Sequence, residues 1–407
     1  MTDDPVAAQY EAYPYPHRDP KDERTRLVTG SPSQLDELAH YLFRGRLDVR
    51  GFRALVAGGG TGDATIMLAQ QLADAGGGEV VYLDLSRRAR QIAEARAAER
   101  GLANIAFHTG SLQDLPELGL GAFDYIDCCG VLHHLDDPPA GLRALRAVLK
   151  DGGGMGLMVY APYGRTGLYP MQEMLRTLGG GQPLEQRVQQ ARQLWNTLPA
   201  TNWLRRNPYL GDHKRSDAEL VDLFLHARDR PYTVDQLADL LAAAEMQPTA
   251  LLEPARYEPA SYLNAPALLT PLRDLDWLQR AGFAERLAGN LKKHVLYAAP
   301  RARGDTVAAF DRDAVPRLLG VDGPTMARQL GGGAQQLTAD FDGVKVRFPL
   351  PRLAGPILQR IDGTRTLGAI LDEVRHADPG LDAATAERQV GELVRAFNGL
   401  NKLVLRR

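Results

Sequence analysis

The stretch ALVAGGGTGDATIML, Ala54–Leu68, runs from apolar residues into a glycine cluster and on into a helix-like pattern. Strand, glycine-rich turn and helix form the ligand-facing element of a doubly wound α/β domain. Small residues there allow close backbone approach, and free N–H groups point at the ligand. The spacing of the glycines narrows the choice of ligand. The dinucleotide fingerprint G-x-G-x-x-G needs a third glycine three positions after the second, and after Gly58 and Gly60 that position holds Asp63. The fingerprint fails, and G-x-G-x-G remains at Gly58, Gly60 and Gly62. A glycine-rich surface turn would look similar, so a nucleotide-like ligand is suggested but not named by this stretch alone.

At 407 residues the chain is long enough for two sizeable cores. Hydrophobic residues make up 44% and charged residues 24%, which argues against wholesale disorder. A formal net charge of −2 leaves no electrostatic footprint for bulk nucleic acid or an anionic membrane. No apolar run approaches a membrane span, and the polar start MTDDPVAAQYEAYPYPHRDP has no signal-peptide core, so a cytoplasmic enzyme is expected. The two cysteines, Cys128 and Cys129, are adjacent, badly placed for a relaxed disulfide and too few for a zinc site. They read as small buried residues of a strand, and no metal is expected.

Around the opening stretch, strand and helix patterns alternate. RALVAG, EVVYLDLS, IAFHTGSL, AFDYIDCCGVL and MGLMVYAP read as five successive strands. RRARQIAEARAAERG is a helix closed by Gly101, and GLRALRAVLKDGGG is a helix leading into the fifth strand. Short, nearly continuous apolar strands separated by helices predict a parallel sheet with its ligand crevice at the strands' carboxyl ends. The rhythm breaks over 163–230 and resumes with the well-capped TVDQLADLLAAAEMQ and the strands TALLEP and KHVLYAAP. The interruption reads as a helical insertion on the ligand-facing edge, where insertions build lids. Residues 304–407 read as a separate unit of short helices with a closing strand KLVL, a winged-helix-like pattern of independent-domain size. The expected division is a strap or lid over 1–50, the sheet domain over 51–303 and the small α+β domain over 304–407.

Asp84, at the tip of the second strand, can accept both hydroxyls of a ribose, in a dinucleotide enzyme or a methyltransferase alike. The choice between them comes from HTGSLQDLP (His108–Pro116), FDYIDCCGVLHHLDDP (Phe123–Pro138) and VLKDGGGMGLMVY. With the glycine motif, these stretches resemble, in order and spacing, the class I S-adenosylmethionine-dependent methyltransferases. The resemblance implies a Rossmann-like sheet and S-adenosylmethionine as cofactor, held by Gly58, Gly60, Gly62, Asp63, Asp84, Leu85, Ser111, Leu112 and Gly130. The chain departs from the family twice: the acidic residue two positions before the first glycine is Val56, and the aspartate of the adenine stretch is Ser111. The cofactor's ammonium group therefore needs another partner, with Asp63 and the N-terminal segment as candidates.

Tyr10, Tyr13 and Tyr15 alternate with prolines near the start, as either a lid across the cofactor or a strap on the outside of the sheet. His133 and His134 follow the fourth strand, where acceptors approach in this family, and one of them is a candidate general base. Tyr160 and Tyr163, at the end of the fifth strand, could orient an acceptor nitrogen or oxygen. In the insertion, His213, His226 and Arg230 are candidates for acceptor recognition, with a solvated charged face as the alternative. The C-terminal unit carries 14 basic against 13 acidic residues over 305–407, which disfavours DNA. Its run GPILQRIDGTRTLGAILDEV loosely resembles PqqD-like winged modules that hold leader peptides. A protein, peptide or small-molecule acceptor is expected, with methyl transfer to nitrogen or oxygen. A binding module with a vestigial cofactor site is the alternative.

Overall fold

The computed structural model describes residues 5–211, 216–331 and 334–407. The chain opens with helices α1 (Pro5–Ala12) and α2 (Leu35–Leu42). The alternating region follows as β1 (Arg53–Ala57), α3 (Asp63–Asp74), β2 (Glu79–Asp84), α4 (Arg87–Arg100), β3 (Ile105–Thr109), β4 (Phe123–Cys129), α5 (Pro138–Ala147) and β5 (Leu149–Tyr160). Next come α6 (Leu168–Gly179), α7 (Leu184–Thr197), α8 (Trp203–Arg206) and α9 (Asp217–Phe224). After them lie α10 (Val234–Ala242), β6 (Met246–Leu251), α11 (Pro266–Leu269), α12 (Trp277–Ala288) and β7 (Lys293–Pro300). The remainder is β8 (Val315–Leu318), α13 (Gly323–Leu330), β9 (Gln336–Phe341), β10 (Val344–Pro349), α14 (Ala354–Leu358), α15 (Leu367–Ala377), α16 (Ala383–Gly399) and β11 (Leu403–Arg406).

Local chemistry sets these boundaries. Ser86 caps α4 by accepting from the Ala89 N–H, and Gly101 ends it in the left-handed conformation. Thr233 and Gln236 close a reciprocal capping box at the start of α10. Asp137 accepts from the Ala140 N–H to start α5, with proline in the first turn. The fifth strand begins earlier than its apolar run suggests, at Leu149, because Gly152–Gly154 are absorbed by a register shift against β4 between Phe123 and Tyr125.

The seven strands of the main sheet lie in the order β3-β2-β1-β4-β5-β7-β6. The pairs β1–β2, β2–β3, β1–β4 and β4–β5 are parallel. The strand order reverses between β1 and β4, so the carboxyl ends of these two strands flank the crevice in which open α/β sheets bind ligands. The loop carrying Gly58–Gly62 and the loop carrying Gly130–His134 are the two sides of that crevice.

Contacts divide the chain into two compact units. One comprises 1–33, 49–246 and 289–295, and the other 34–48, 247–288 and 296–407. In the first, helices α6–α9 have a core of their own, with Leu168, Met171, Leu175, Val188, Leu220 and Phe224 buried together. Arg96 is fully buried there and ties the N-terminal segment down: its guanidinium donates to Glu23 at 2.6 Å, Asp63 at 2.8 Å and the Thr61 carbonyl at 2.8 Å. In the second unit, Leu358, Ile370, Val390, Leu393, Phe397 and Leu403 form the centre. Strands β9 and β10 make an antiparallel hairpin across Asp342-Gly343, both at positive φ, the conformation that an Asp-Gly pair favours in a two-residue turn. The expected helix RLAGPILQRIDG is reduced to α14, which ends at Leu358. Helix α2 belongs to this unit: the Tyr297 hydroxyl and the Asn401 amide both donate to the buried Glu37, at 2.8 and 2.6 Å. No helix among the described residues is long and apolar enough to cross a membrane.

Candidate active site

A cavity of about 450 Å³ opens at the carboxyl ends of β1, β2 and β4, within the first unit. Its size falls in the ~300–1,000 Å³ range of small-molecule sites. The glycine turn forms one wall. Gly58, Gly60 and Gly62 have φ of 80°, 50° and 104°, which L-residues with a Cβ adopt only under strain. A side chain at Gly58 would collide with Val131, and one at Gly59 with the Tyr82 ring. At Gly60 an added Cβ would come within 2.8 Å of the Tyr15 carbonyl, so the turn is covered by the N-terminal segment. Thr61 fixes that cover by donating to the Pro16 carbonyl at 2.7 Å. Tyr10, Tyr15 and Pro16 line the cavity, whereas Tyr13 packs against the core of the helical insertion.

Asp84 closes the second wall. Its oxygens accept from the Gly60 and Ser86 N–H groups, each at 2.8 Å, and burial raises its pKa while these donors pull it down. A carboxylate oxygen has more than one acceptor site, so two hydroxyls can still be received there. Leu85, Ser111, Leu112 and Gly130 also face the cavity, as does Asp63. The Ser111 hydroxyl is partly engaged, accepting from the Gln113 N–H at 3.1 Å. Asp63 is fully engaged: Arg18 binds it at 2.8 and 2.6 Å, and Arg96 binds it at 2.8 Å. Gly62 serves as the N-cap of α3 and is not among the lining residues.

The other end of the cavity is made of buried side chains. His134, Tyr160, Arg165 and Asp222 line it. The Asp222 carboxylate accepts from the Tyr10 hydroxyl at 3.1 Å and from the Tyr160 hydroxyl at 3.3 Å, and burial raises it to about 6. His226 stacks on His134 with ring centroids 3.6 Å apart. The Nδ1 of His226 accepts from the Arg228 N–H at 3.1 Å, so its Nε2 carries the proton and donates to Tyr10, 3.1 Å away. The Nδ1 of His134 faces the Arg228 carbonyl at 2.5 Å and must be the protonated nitrogen, which leaves Nε2 as a lone pair. Burial lowers His134 to about 3 and His226 to about 2, so both are neutral at pH 7. The Arg165 guanidinium lies 3.6 Å over the Tyr160 ring and pairs with Asp229 at 2.9 Å, both side chains being at least 95% buried. Potential ligand atoms of His134, Asp222 and His226 lie within 4.8 Å of one another. Hydrogen bonds to Tyr10, Tyr160 and Arg228 already use most of those atoms.

The remaining residues named from sequence fall elsewhere. His133 is buried beside Tyr160, outside the cavity, with both ring nitrogens lacking a hydrogen-bond partner. His226 sits behind Tyr10 and His134, one layer from the cavity. Tyr163 starts a short 3-10 turn away from the lining, and Arg230 is exposed, its N–H donating to the His133 carbonyl. His213 lies outside the described residues. Arg165, Asp222 and Asp127 join the site without having been singled out. Asp127 and Asp222 stand out only as acidic residues inside the otherwise apolar runs FDYIDCC and AELVDLF, which does not state their roles, and Arg165 carries no such signal. Cys128 is buried in β4, and Cys129 borders the cavity as a free thiol.

Residues 55–155 match the protein family described as "Methyltransferase domain". Over 244 residues the chain is 34% identical to an uncharacterized protein of Synechococcus sp., covering 57% of this chain and 56% of that protein. Over 109 residues it is 31% identical to a ubiquinone biosynthesis O-methyltransferase of Neisseria meningitidis, covering 27% of this chain and 44% of that enzyme. The chain thus spans about half the length of these curated relatives. Its fold is similar to that of PKMT2 from Rickettsia typhi, with a TM-score of 0.64 at 15% identity, over 91% of this chain and 74% of that one. A structure of PKMT2 in complex with AdoHcy matches with the same score. Residues 55–155 therefore match a methyltransferase domain, carried on a Rossmann-like sheet.

Proposed function

We propose that the chain is an S-adenosylmethionine-dependent methyltransferase acting on a nitrogen or oxygen of a protein or peptide side chain. The observation that carries this reading is one cavity with two chemically distinct ends, a glycine turn with Asp84 at one and an unprotonated His134 Nε2 beside Tyr160 and Asp222 at the other. When bound, the cofactor supplies a methyl group already activated on a sulfonium, so the protein's own work is positioning. The glycine turn approaches the ligand closely, and Asp84 receives the ribose hydroxyls. Tyr10, Tyr160 and Asp222 form a polar end that orients an acceptor N–H or O–H. Methylation makes the acceptor's remaining proton acidic, and that proton passes to water, while the His134 Nε2 lone pair aligns the acceptor N–H or O–H before transfer. Burial keeps His134 neutral at pH 7, so that lone pair stays available as a hydrogen-bond acceptor, and a base held at about 3 is too weak to retain the proton.

In this reading the segment 1–50 acts as the cover of the cofactor, 51–303 as the transferase domain and 304–407 as a winged-helix-like module that holds the acceptor. Helices α13–α16, the β9–β10 hairpin and a nearly balanced charge support a peptide over a nucleic acid as its ligand. A small-molecule acceptor is the second reading, favoured by the 31% identity with the ubiquinone biosynthesis enzyme over 109 residues. Two measurements test both. Calorimetric titration with S-adenosylmethionine, S-adenosylhomocysteine and NAD should give binding of the first two, and binding of NAD alone would overturn the transferase reading. Transfer of labelled methyl groups to a cell extract should label the protein fraction, and label confined to dialysable products would establish the second reading.

A further inference from the structure

In the parallel pairing of β1 with β4, Val56 stands opposite Asp127. Residues paired in this way send their side chains to the same face of the sheet, and both of these line the cavity. Val56 occupies the position where an acidic residue is absent, and the neighbouring strand carries one at the same level. Asp127 is 2% exposed, and no ion pair reaches it among the described residues. Its Oδ2 accepts from the Ser33 hydroxyl at 2.5 Å and from the Cys129 thiol at 3.6 Å. Ser33 holds its hydroxyl there from a backbone at φ 89°, a left-handed conformation that costs a non-glycine residue free energy. A buried carboxylate facing a cavity without a cation of its own is destabilising until a cation arrives. The other nearby candidate, Asp63, is already neutralised by Arg18 and Arg96.

We infer that Asp127 is the carboxylate that receives the α-ammonium group of the cofactor, replacing from β4 the acidic residue that β1 lacks. This rests on the reading of the cavity as the S-adenosylmethionine site. Burial lifts the Asp127 carboxyl to about 6, so a bound ammonium would also hold it ionised. The glycine turn and Asp84 serve the adenosine part, and Asp127 distinguishes the amino-acid part.

The test is a pairwise titration of the full chain and of Asp127→Asn with S-adenosylhomocysteine and with its deamino analogue, in which hydrogen replaces the α-amino group. The wild type should prefer S-adenosylhomocysteine by about tenfold or more, the scale of a charge-assisted hydrogen bond. In Asp127→Asn that preference should disappear, because S-adenosylhomocysteine weakens while the deamino analogue keeps its affinity. Retention of the deamino affinity also reports that the variant's site is folded. An undiminished preference in the variant overturns the inference. A wild type that binds neither ligand overturns the cofactor reading instead, which separates the two failures. Should Asp127→Asn bind neither, Asp127→Ser is read by the same comparison.

Discussion

The glycine turn of Gly58–Gly62 and the cluster around Tyr160 face one cavity, yet only the first is made from a single short run of chain. At the turn the backbone does the bonding: the Gly58 and Gly59 N–H groups donate to the Leu83 carbonyl, and Asp84, at the tip of the adjacent strand, accepts from the Gly60 and Ser86 N–H groups. Around Tyr160, the contributing residues are Tyr10, His134, Arg165, Asp222, His226 and Asp229, drawn from the first helix, the loop after β4 and the helical insertion. Backbone geometry at Gly58, Gly60 and Gly62 tolerates no side chain, whereas the cluster is all side chain and carries buried charge. The cofactor end should therefore fail locally when altered, and the acceptor end should fail by loss of stability.

Substitutions can break that contrast. Arg165→Ala leaves Asp229 buried without its cation and should cost about 3–5 kcal/mol of stability, measured by denaturant unfolding. A loss below about 1 kcal/mol would mean that the pair is not integral to the cluster.

Acid exposes the same difference. In the unfolded chain His226 protonates near its ordinary 6.5, while in the folded protein it resists protonation until about 2. Its folded pKa is depressed, so the stability it permits is present above pH 6.5 and drains away as pH falls below it. The advantage of the wild type over His226→Gln should narrow by about 1.4 kcal/mol per pH unit below 6.5. The difference between the two proteins is the quantity to read. Asp127 and Asp222, both raised to about 6, oppose the slope of the wild type alone because they gain stability as pH falls through 6. A difference that stays constant from pH 7.5 to 5 would place His226 in contact with water.

At the cofactor end, Asp84→Ala should weaken S-adenosylmethionine by about tenfold or more, with little change in unfolding midpoint, as calorimetry and thermal melts would report. The smallest effect belongs to Tyr160→Phe. Its bond to Asp222 is long at 3.3 Å, and Tyr10 still donates to the same carboxylate. A loss of roughly 0.5–1 kcal/mol, or about two- to fivefold in kcat, is expected with cofactor affinity unchanged. A drop in cofactor affinity of similar size would show that the two ends are not separable.

The same contrast explains what could be read from the sequence. Gly58, Gly60, Asp84 and Gly130 announce themselves because local chain geometry demands a glycine, or places a carboxylate at a strand tip a fixed distance on. Strands β1 to β5 are legible for the same reason, each being a short apolar run between punctuating residues. Asp222 and Arg165 are not legible, since their roles depend on contacts more than fifty residues away along the chain. Asp127 was visible as a charge inside an apolar strand, but its relation to Val56 is a fact of strand register, which a single sequence does not state. His133 shows the reverse case: its position after β4 suggested chemistry, and its ring packs beside Tyr160, outside the cavity lining.

The hydrogen bond between Tyr10 and Asp222 joins residues 212 positions apart in the chain. The ribosome makes the first of these residues long before the second, and contacts of such wide separation are slow to form. Ser86 and Arg88 can hold the opening helix early, through Glu11 and Ala12, but until Asp222 and His226 have emerged the Tyr10 hydroxyl has neither of its partners. The pocket's polar end is therefore completed only when Asp222 reaches a tyrosine made 212 positions earlier, and a nascent chain stalled before position 216 would hold its glycine turn while the far side lacked the carboxylate that fixes that tyrosine.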